Sequence, residues 1–130
     1  MPRNYQCKKG NPYLLPHDIY MRVLYTIKGY DRRKAEYESL LYESMLPPDG
    51  QPGCGKLADK TADNGIKRAL IFQELEAIDQ ALLMIPPEYQ QGVKYNAMYG
   101  IWYPLSADVS TYRRWKQRFL YYVAERLKLV

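Results

Sequence analysis

The stretch IFQELEAIDQALLMI, residues 71–85, decides the fold class. Its apolar residues recur every three or four positions, as they do along one face of an α-helix. They are Ile71, Leu75, Ile78, Leu82 and Ile85. A helix with such a face must bury it against another element, and no other part of the sequence shows the alternating pattern of a half-buried strand. The sequence therefore predicts an all-α protein.

The chain before this stretch supplies a partner helix. From Pro16 to about Met45, apolar and aromatic residues again recur at steps of three and four. Pro16 and Asp18 suit the first turn of a helix, and Gly29 is a candidate break. The recurring residues are Tyr20, Val23, Ile27, Tyr30, Tyr37 and Leu41.

A loop is predicted between these two helices. Residues 46–60 hold three prolines and three glycines, which oppose a continuous helix. The second helix then begins at Thr61 or Asp63. We therefore expect a flexible segment over residues 1–15, followed by a long antiparallel helical hairpin over residues 16–85.

The remaining chain, residues 86–130, predicts a small head. Pro86-Pro87 ends the hairpin, and a shorter helix opens at Pro87-Glu88 and reaches about Tyr99. Residues 100–109 predict an irregular connection, and either Ser110 or Asp108 is the N-cap of a final helix. Inward positions of the shorter helix are Val93, Ala97 and Met98.

The final helix carries the whole net charge of the protein. Residues 110–130, STYRRWKQRFLYYVAERLKLV, contain six basic residues and one acid, a net charge of +5. The full chain has 19 basic and 14 acidic residues, also +5, so the other residues balance. On a helical projection one side is apolar and predicts contact with the body. This side consists of Tyr112, Trp115, Phe119, Tyr122, Val123 and Leu127.

The opposite side of this helix is the candidate DNA-binding surface. Arginine can pair with guanine and glutamine with adenine, while other cations contact phosphates. A local basic surface usually faces an anionic partner, most often nucleic acid. The candidate DNA-binding residues are Arg113, Arg114, Lys116, Gln117, Arg118, Tyr121 and Lys128.

Two motifs in the head resemble a known family. Pro87-Glu88-Tyr89 and the segment VSTYRRWKQR, residues 109–118, are similar to the C-terminal DNA-binding domain of bacterial sigma factors. They look still more like its degenerate version in phage late-transcription regulators of the RinA/ArpU type. The resemblance implies a helix-turn-helix-like head and a phage or prophage transcriptional regulator that binds double-stranded DNA. Residues 101–109, interrupted by Pro104, are short for the positioning helix of that motif.

The predicted function is the transcriptional regulator, which would also contact RNA polymerase or another host protein. One alternative is a DNA-packaging component similar to a small terminase subunit. The other is a phage-encoded inhibitor that uses its basic face to bind a host nucleic-acid enzyme. For DNA binders of this kind we expect a homodimer or a higher homo-oligomer.

Other activities are not expected. Two cysteines and one histidine, His17, are too few for a zinc site or a Cys/His catalytic pair, so we predict no cofactor, metal or enzymatic activity. Residues 50–57, GQPGCGKL, nearly match a phosphate-binding P-loop, but Leu57 replaces the Ser or Thr and no strand precedes it. Glu74, Glu76 and Asp79 do not share one helix face and indicate a solvated surface. Without a signal sequence or an apolar span, we expect a cytoplasmic protein of the host bacterial cell with no membrane contact.

Overall fold

The fold is built from helices, as the sequence predicts. The computed structural model describes Gln6, residues 8–45 and residues 55–130, apart from the side chains of residues 55–61. Within these ranges there are five helices and no strands, which confirms the all-α prediction. The helices are α1 (His17–Lys28), α2 (Tyr30–Met45), α3 (Gly55–Leu83), α4 (Pro87–Tyr99) and α5 (Val109–Arg126).

The candidate break at Gly29 divides the first predicted helix in two. The Gly29 amide still closes α1 by donating to the Tyr25 carbonyl at 3.0 Å, and the Gly29 carbonyl accepts from Arg33 at 2.9 Å in the first turn of α2. The two helices on either side of the break have different neighbours. Helix α1 packs against α4 and α5, whereas α2 packs mainly against α3.

Helix α3 is longer than the sequence predicts. It begins at Gly55, so the predicted loop is wrong for residues 55–60, and the start at Thr61 or Asp63 is too late. Gly55 is the last of the glycines and prolines that predict this loop, and good helix formers follow it. The rest of the predicted loop, residues 46–54, lies outside the described residues, as does most of the segment that resembles a P-loop.

Polar contacts join α2 to α3 along their lengths. Because residue numbers rise along α2 while those of their partners fall along α3, the two helices run in opposite directions. The Tyr30 hydroxyl donates to Asp79 Oδ1 at 2.8 Å, Arg33 Nε lies 3.4 Å from Glu74 Oε2, and Arg68 donates to Ser44 Oγ at 2.9 Å.

The predicted apolar faces of α3 and α4 are confirmed. Ile71, Leu75, Ile78 and Ile85 are buried and Leu82 is partly buried, and all three inward positions of α4 are buried. The face predicted for residues 16–45 is buried only in part, because it fades along α2. Tyr20, Val23, Ile27 and Tyr30 are buried, Tyr37 is partly buried and Leu41 is exposed.

A glycine allows α4 and α5 to pack closely. A Cβ atom at Gly92 would lie 2.6 Å from Tyr112 Cε1 and 2.8 Å from Pro104 Cδ. Gly100, with a φ of 69°, caps α4 in the left-handed conformation, and its amide donates to the Asn96 carbonyl. None of the helices in the described ranges is long and apolar enough to cross a bilayer.

Candidate functional site

Helix α5 lies in the centre of the body and packs against α1, α3 and α4. It begins at Val109 with Asp108 at the N-cap, so Ser110 lies inside the helix. Its buried face is wider than predicted and turned to one side. Tyr112, Phe119 and Val123 are buried as expected, and Leu120 and Ala124 join them, whereas Trp115, Tyr122 and Leu127 are partly buried.

The structure separates the seven candidate DNA-binding residues into two groups. Three have exposed side chains: Arg113 and Arg114 near the start of α5, and Lys128 beyond its end. The other four are partly buried: Lys116, Gln117, Arg118 and Tyr121.

Gln6 and residues 8–15, which we term the N-terminal strap, contact three of these partly buried residues, Gln117, Arg118 and Tyr121. The strap belongs to the segment predicted to be flexible, but its described residues make specific contacts. Gln6 Nε2 donates to the Leu15 carbonyl and the Leu15 amide donates to Gln6 Oε1, both at 2.8 Å, and Leu15 is buried. The Tyr13 ring meets the rings of Tyr121 and Tyr122 edge-on, with centroids 5.4 and 6.1 Å apart.

Gln117 and Arg118 hold the strap against α5. Gln117 Nε2 donates to Gln6 Oε1 and to the Tyr13 carbonyl, each at 2.8 Å. Both N–H groups of this amide are therefore committed within the chain. The Arg118 guanidinium carbon lies 4.9 Å from the Tyr13 ring centroid and 4.8 Å from that of Trp115. A DNA contact by either residue stays a prediction, and one that requires the strap to move.

A cavity of about 510 Å³ lies beside the strap. This volume is in the usual range for a small-molecule site. The strap, α1, α4, the connection between α4 and α5, and α5 itself all contribute to its lining. The first turn of α5 opens onto it at Ser110, so the positive end of the helix dipole adds to the field of the cations there.

Lys116 is the most perturbed cation of the cavity. Burial, together with the nearby charges of Lys28 and Arg113, lowers its pKa to about 8. Buried lysines are normally paired with a carboxylate. Among the described residues no carboxylate pairs with Lys116, Arg113 or Arg114. The cavity is therefore lined by cations that repel one another.

Aromatic side chains form the rest of the wall. Tyr103 is buried and stacks on Tyr112, with centroids 5.1 Å apart and planes 9° apart. Burial raises the pKa of Tyr103 to about 12 and also raises the pKa of Tyr20, so both hydroxyls stay protonated at neutral pH. Trp102 is 53% exposed and leaves much of its indole open to a ligand.

The other candidate groups that the structure describes are exposed or already engaged. His17 is exposed. Glu74 and Asp79 are engaged with Arg33 and Tyr30, and Glu76 is exposed. Across the parts of the chain that the structure describes, no group of three His, Cys, Asp or Glu side chains could hold a metal ion.

The strap and the aromatic wall are the part of the site that sequence patterns did not indicate. Tyr13, Trp102, Tyr103 and Asn96 lie in irregular segments or on a buried face, where no periodicity marks them. The only sequence signal was the placement of Trp102 and Tyr103 in a connection that is not helical. Residues 100–108 separate α4 from α5, which is longer than the three- or four-residue turn of a helix-turn-helix.

Comparisons with known proteins identify no relative. A scan against protein-family models, a search of curated proteins and a search of solved structures each found no match.

Proposed function

We propose that this protein is a DNA-binding transcriptional regulator of the phage type, which contacts double-stranded DNA through α5. One observation carries the proposal. The net charge of the chain resides in residues 110–130, and Arg113 and Arg114 are exposed side by side in the first two turns of α5. Neither pairs with a carboxylate of the described chain, so both can reach phosphates or base edges.

The proposal assigns different roles to the two groups of candidate residues. Arg113 and Arg114 make the main contacts, and Lys128 contacts the backbone from the far end of the helix. Gln117, Arg118 and Tyr121 contribute only after the strap moves, and Lys116 adds to the positive field from the cavity wall. In this proposal α4 and α5 act as the head that resembles a helix-turn-helix, and the antiparallel α2–α3 pair acts as a hairpin for assembly.

Exposed apolar side chains support the assembly role of α2 and α3. Such side chains are normally covered by a partner when they lie together on one surface. They include Tyr42, Met45, Ile66, Leu70 and Phe72, which are 48–75% exposed. Light scattering distinguishes two candidates here: a dimer fits the regulator, whereas a mass well above a dimer fits a ring such as small terminase subunits form.

DNA binding by the purified protein tests the proposal directly. We would titrate DNA fragments from the protein's own genomic neighbourhood at several salt concentrations, against random competitor DNA. One fragment should retain affinity at physiological salt, with a salt slope that indicates several phosphate contacts. Equally weak binding of all fragments that disappears as salt rises would instead favour the inhibitor, whose partner is a host protein.

A double variant tests the assigned residues. Arg113→Ala with Arg114→Ala should abolish specific binding and reduce the salt slope by about two phosphate contacts. The matched control is Arg32→Ala with Lys34→Ala, which removes the same charge from exposed positions on α2. Unchanged affinity in the first variant, or an equal loss in both, would refute the role of α5.

A further inference from the structure

We propose that the cavity beside the strap is a binding site for a single nucleotide, whose phosphate contacts Arg113, Arg114 and Lys116 and whose base packs against Trp102. This site shares Arg113 and Arg114 with the proposed duplex-binding surface, and it adds Lys116 and Trp102. A base in a duplex is stacked and paired, so only a free nucleotide or an unpaired nucleotide of a strand can enter a concave site.

The cations that line the cavity indicate that its ligand is negatively charged. Five cationic side chains line the cavity, and no carboxylate of the described chain pairs with three of them, Arg113, Arg114 and Lys116. Lys116 is partly buried, and its neighbours Arg113 and Lys28 carry the same charge. An anion in the cavity would relieve this repulsion, and its gain is greatest where a lysine is already withdrawn from water.

The number and geometry of the donors favour a phosphate. A phosphate monoester carries nearly two negative charges and three acceptor oxygens, so it can use several cations together. Guanidinium groups bind phosphate oxygens in a bidentate manner, and a lysine adds a point charge. Ser110 places the N-terminal turn of an 18-residue helix at the same wall, which also favours an anion.

The size and the aromatic wall favour a nucleotide over inorganic phosphate. Phosphate alone would leave most of the 510 Å³ empty. Trp102 lines the cavity and is half exposed, so its indole offers aromatic surface on which a planar ring can pack. Stacking of a base on an aromatic side chain strengthens binding and tolerates all four bases. Tyr103 and Tyr20 supply protonated hydroxyls on the same wall.

Calorimetric titration of the full chain tests the site. The probes are the four nucleoside 5′-monophosphates, adenosine and inorganic phosphate. At least one monophosphate should bind with one-to-one stoichiometry, about tenfold tighter than either adenosine or phosphate. Failure of all four to give saturable binding, or equal affinity for phosphate and the nucleotides, would overturn the proposal.

Two variants locate the ligand, and neither should unfold the protein. Lys116→Met should weaken nucleotide binding by about tenfold or more, and Trp102→Leu should lower the affinity toward that of phosphate. The matched controls Lys34→Met and Tyr42→Leu, both at exposed sites on α2, should bind as the native chain does. Unchanged nucleotide affinity in Lys116→Met and Trp102→Leu would place the ligand elsewhere and refute the site.

A last comparison distinguishes the two sources of the nucleotide. A short 5′-phosphorylated single strand that displaces the bound monophosphate would show that the site accepts a nucleotide within a strand. A strand that does not compete would restrict the site to free nucleotides. Duplex binding that persists in Lys116→Met, together with lost nucleotide binding, would show that Lys116 serves the nucleotide site alone, although both sites use Arg113 and Arg114.

Discussion

The α2–α3 pair and the cavity side of α5 both carry many cations, but these cations have different surroundings. On α2 and α3 the charges are neutralised locally, as where Arg33 and Lys67 pair with Glu74 and Glu36. At the cavity, Arg113 and Lys116 are close enough to repel each other, and no carboxylate of the described chain pairs with either. Paired surface charges contribute little to stability and mainly keep helices soluble and aligned. Unpaired cations at a cavity lower stability, and a bound anion would compensate for this cost.

The two regions also differ in how completely they bury their apolar residues, and the two phenylalanines of the chain test this. Phe119 in α5 is fully buried, whereas Phe72 in α3 is 48% exposed. Phe119→Ala should lower the free energy of unfolding by about 3–5 kcal/mol because it leaves a cavity in the core. Phe72→Ala should cost about 1 kcal/mol or less. Urea denaturation of both variants measures the difference, and equal losses would show that the core is not centred on α5.

Two glycines inside helices test how closely the backbone is packed in each region. Gly92→Ala in α4 should destabilise the protein by about 1–3 kcal/mol, because the new methyl group would overlap the Tyr112 ring and Pro104. Gly65→Ala in α3 meets no atom within 4 Å and should stabilise the protein by up to about 1 kcal/mol. Thermal melting of the two variants should therefore shift in opposite directions. A stabilising Gly92→Ala would contradict the close approach of α4 and α5.

Two lysines provide the smallest and most specific contrast. At pH 7, Lys116→Met should stabilise the protein by about 1–2 kcal/mol, less than the full pKa shift implies, because the side chain keeps some contact with water. Lys67→Met removes an exposed ion pair with Glu36 and should cost about 1 kcal/mol or less. Chemical denaturation at pH 7 measures both effects. Destabilisation by Lys116→Met would show that this lysine has a partner in the fold.

The lowered pKa of Lys116 should also make the stability of the protein depend on pH. The pKa of Lys116 is lower in the folded protein, about 8, than its ordinary value of 10.5. Below pH 8 the folded state therefore carries the cost of a charged, partly buried lysine. The free energy of unfolding should rise between pH 8 and about 10, where only the unfolded chain keeps the proton, and Lys116→Met should lack this rise. Above about pH 10 the stability of both the native chain and the Lys116→Met variant should fall. The cause is the buried tyrosines, including Tyr103, whose pKa values are higher in the folded state than in the unfolded state.

Local patterns predicted the helices well and the site only in part. The spacing of Ile71 to Ile85 and the proline pair before α4 act within one or two turns, so the sequence displays them directly. The contacts of the strap, by contrast, join residues that are far apart in the sequence. Gln6 and Gln117 are 111 residues apart, and nothing in either neighbourhood indicates that they meet. The cations of α5 were identified from sequence, but their division into exposed and covered groups depends on this distant contact.

The start of α3 shows a second kind of limit. Glycine and proline indicate where a helix is unfavourable, but they do not indicate at which residue the next helix begins. Once Gly55 is passed, the following residues favour a helix as strongly as those after Thr61 do, so the end of the predicted loop had no firm signal.

The stacking of Arg118 between Tyr13 and Trp115 has a consequence for optical measurements. The chain contains two tryptophans: Trp115 under this guanidinium and Trp102 at the rim of the cavity. Indole emission therefore monitors only the part of the molecule formed by α4, α5 and the strap. Circular dichroism monitors all five helices. If the α2–α3 pair melts first, ellipticity will fall while the emission spectrum stays unchanged, so one sample would resolve the two regions without a label.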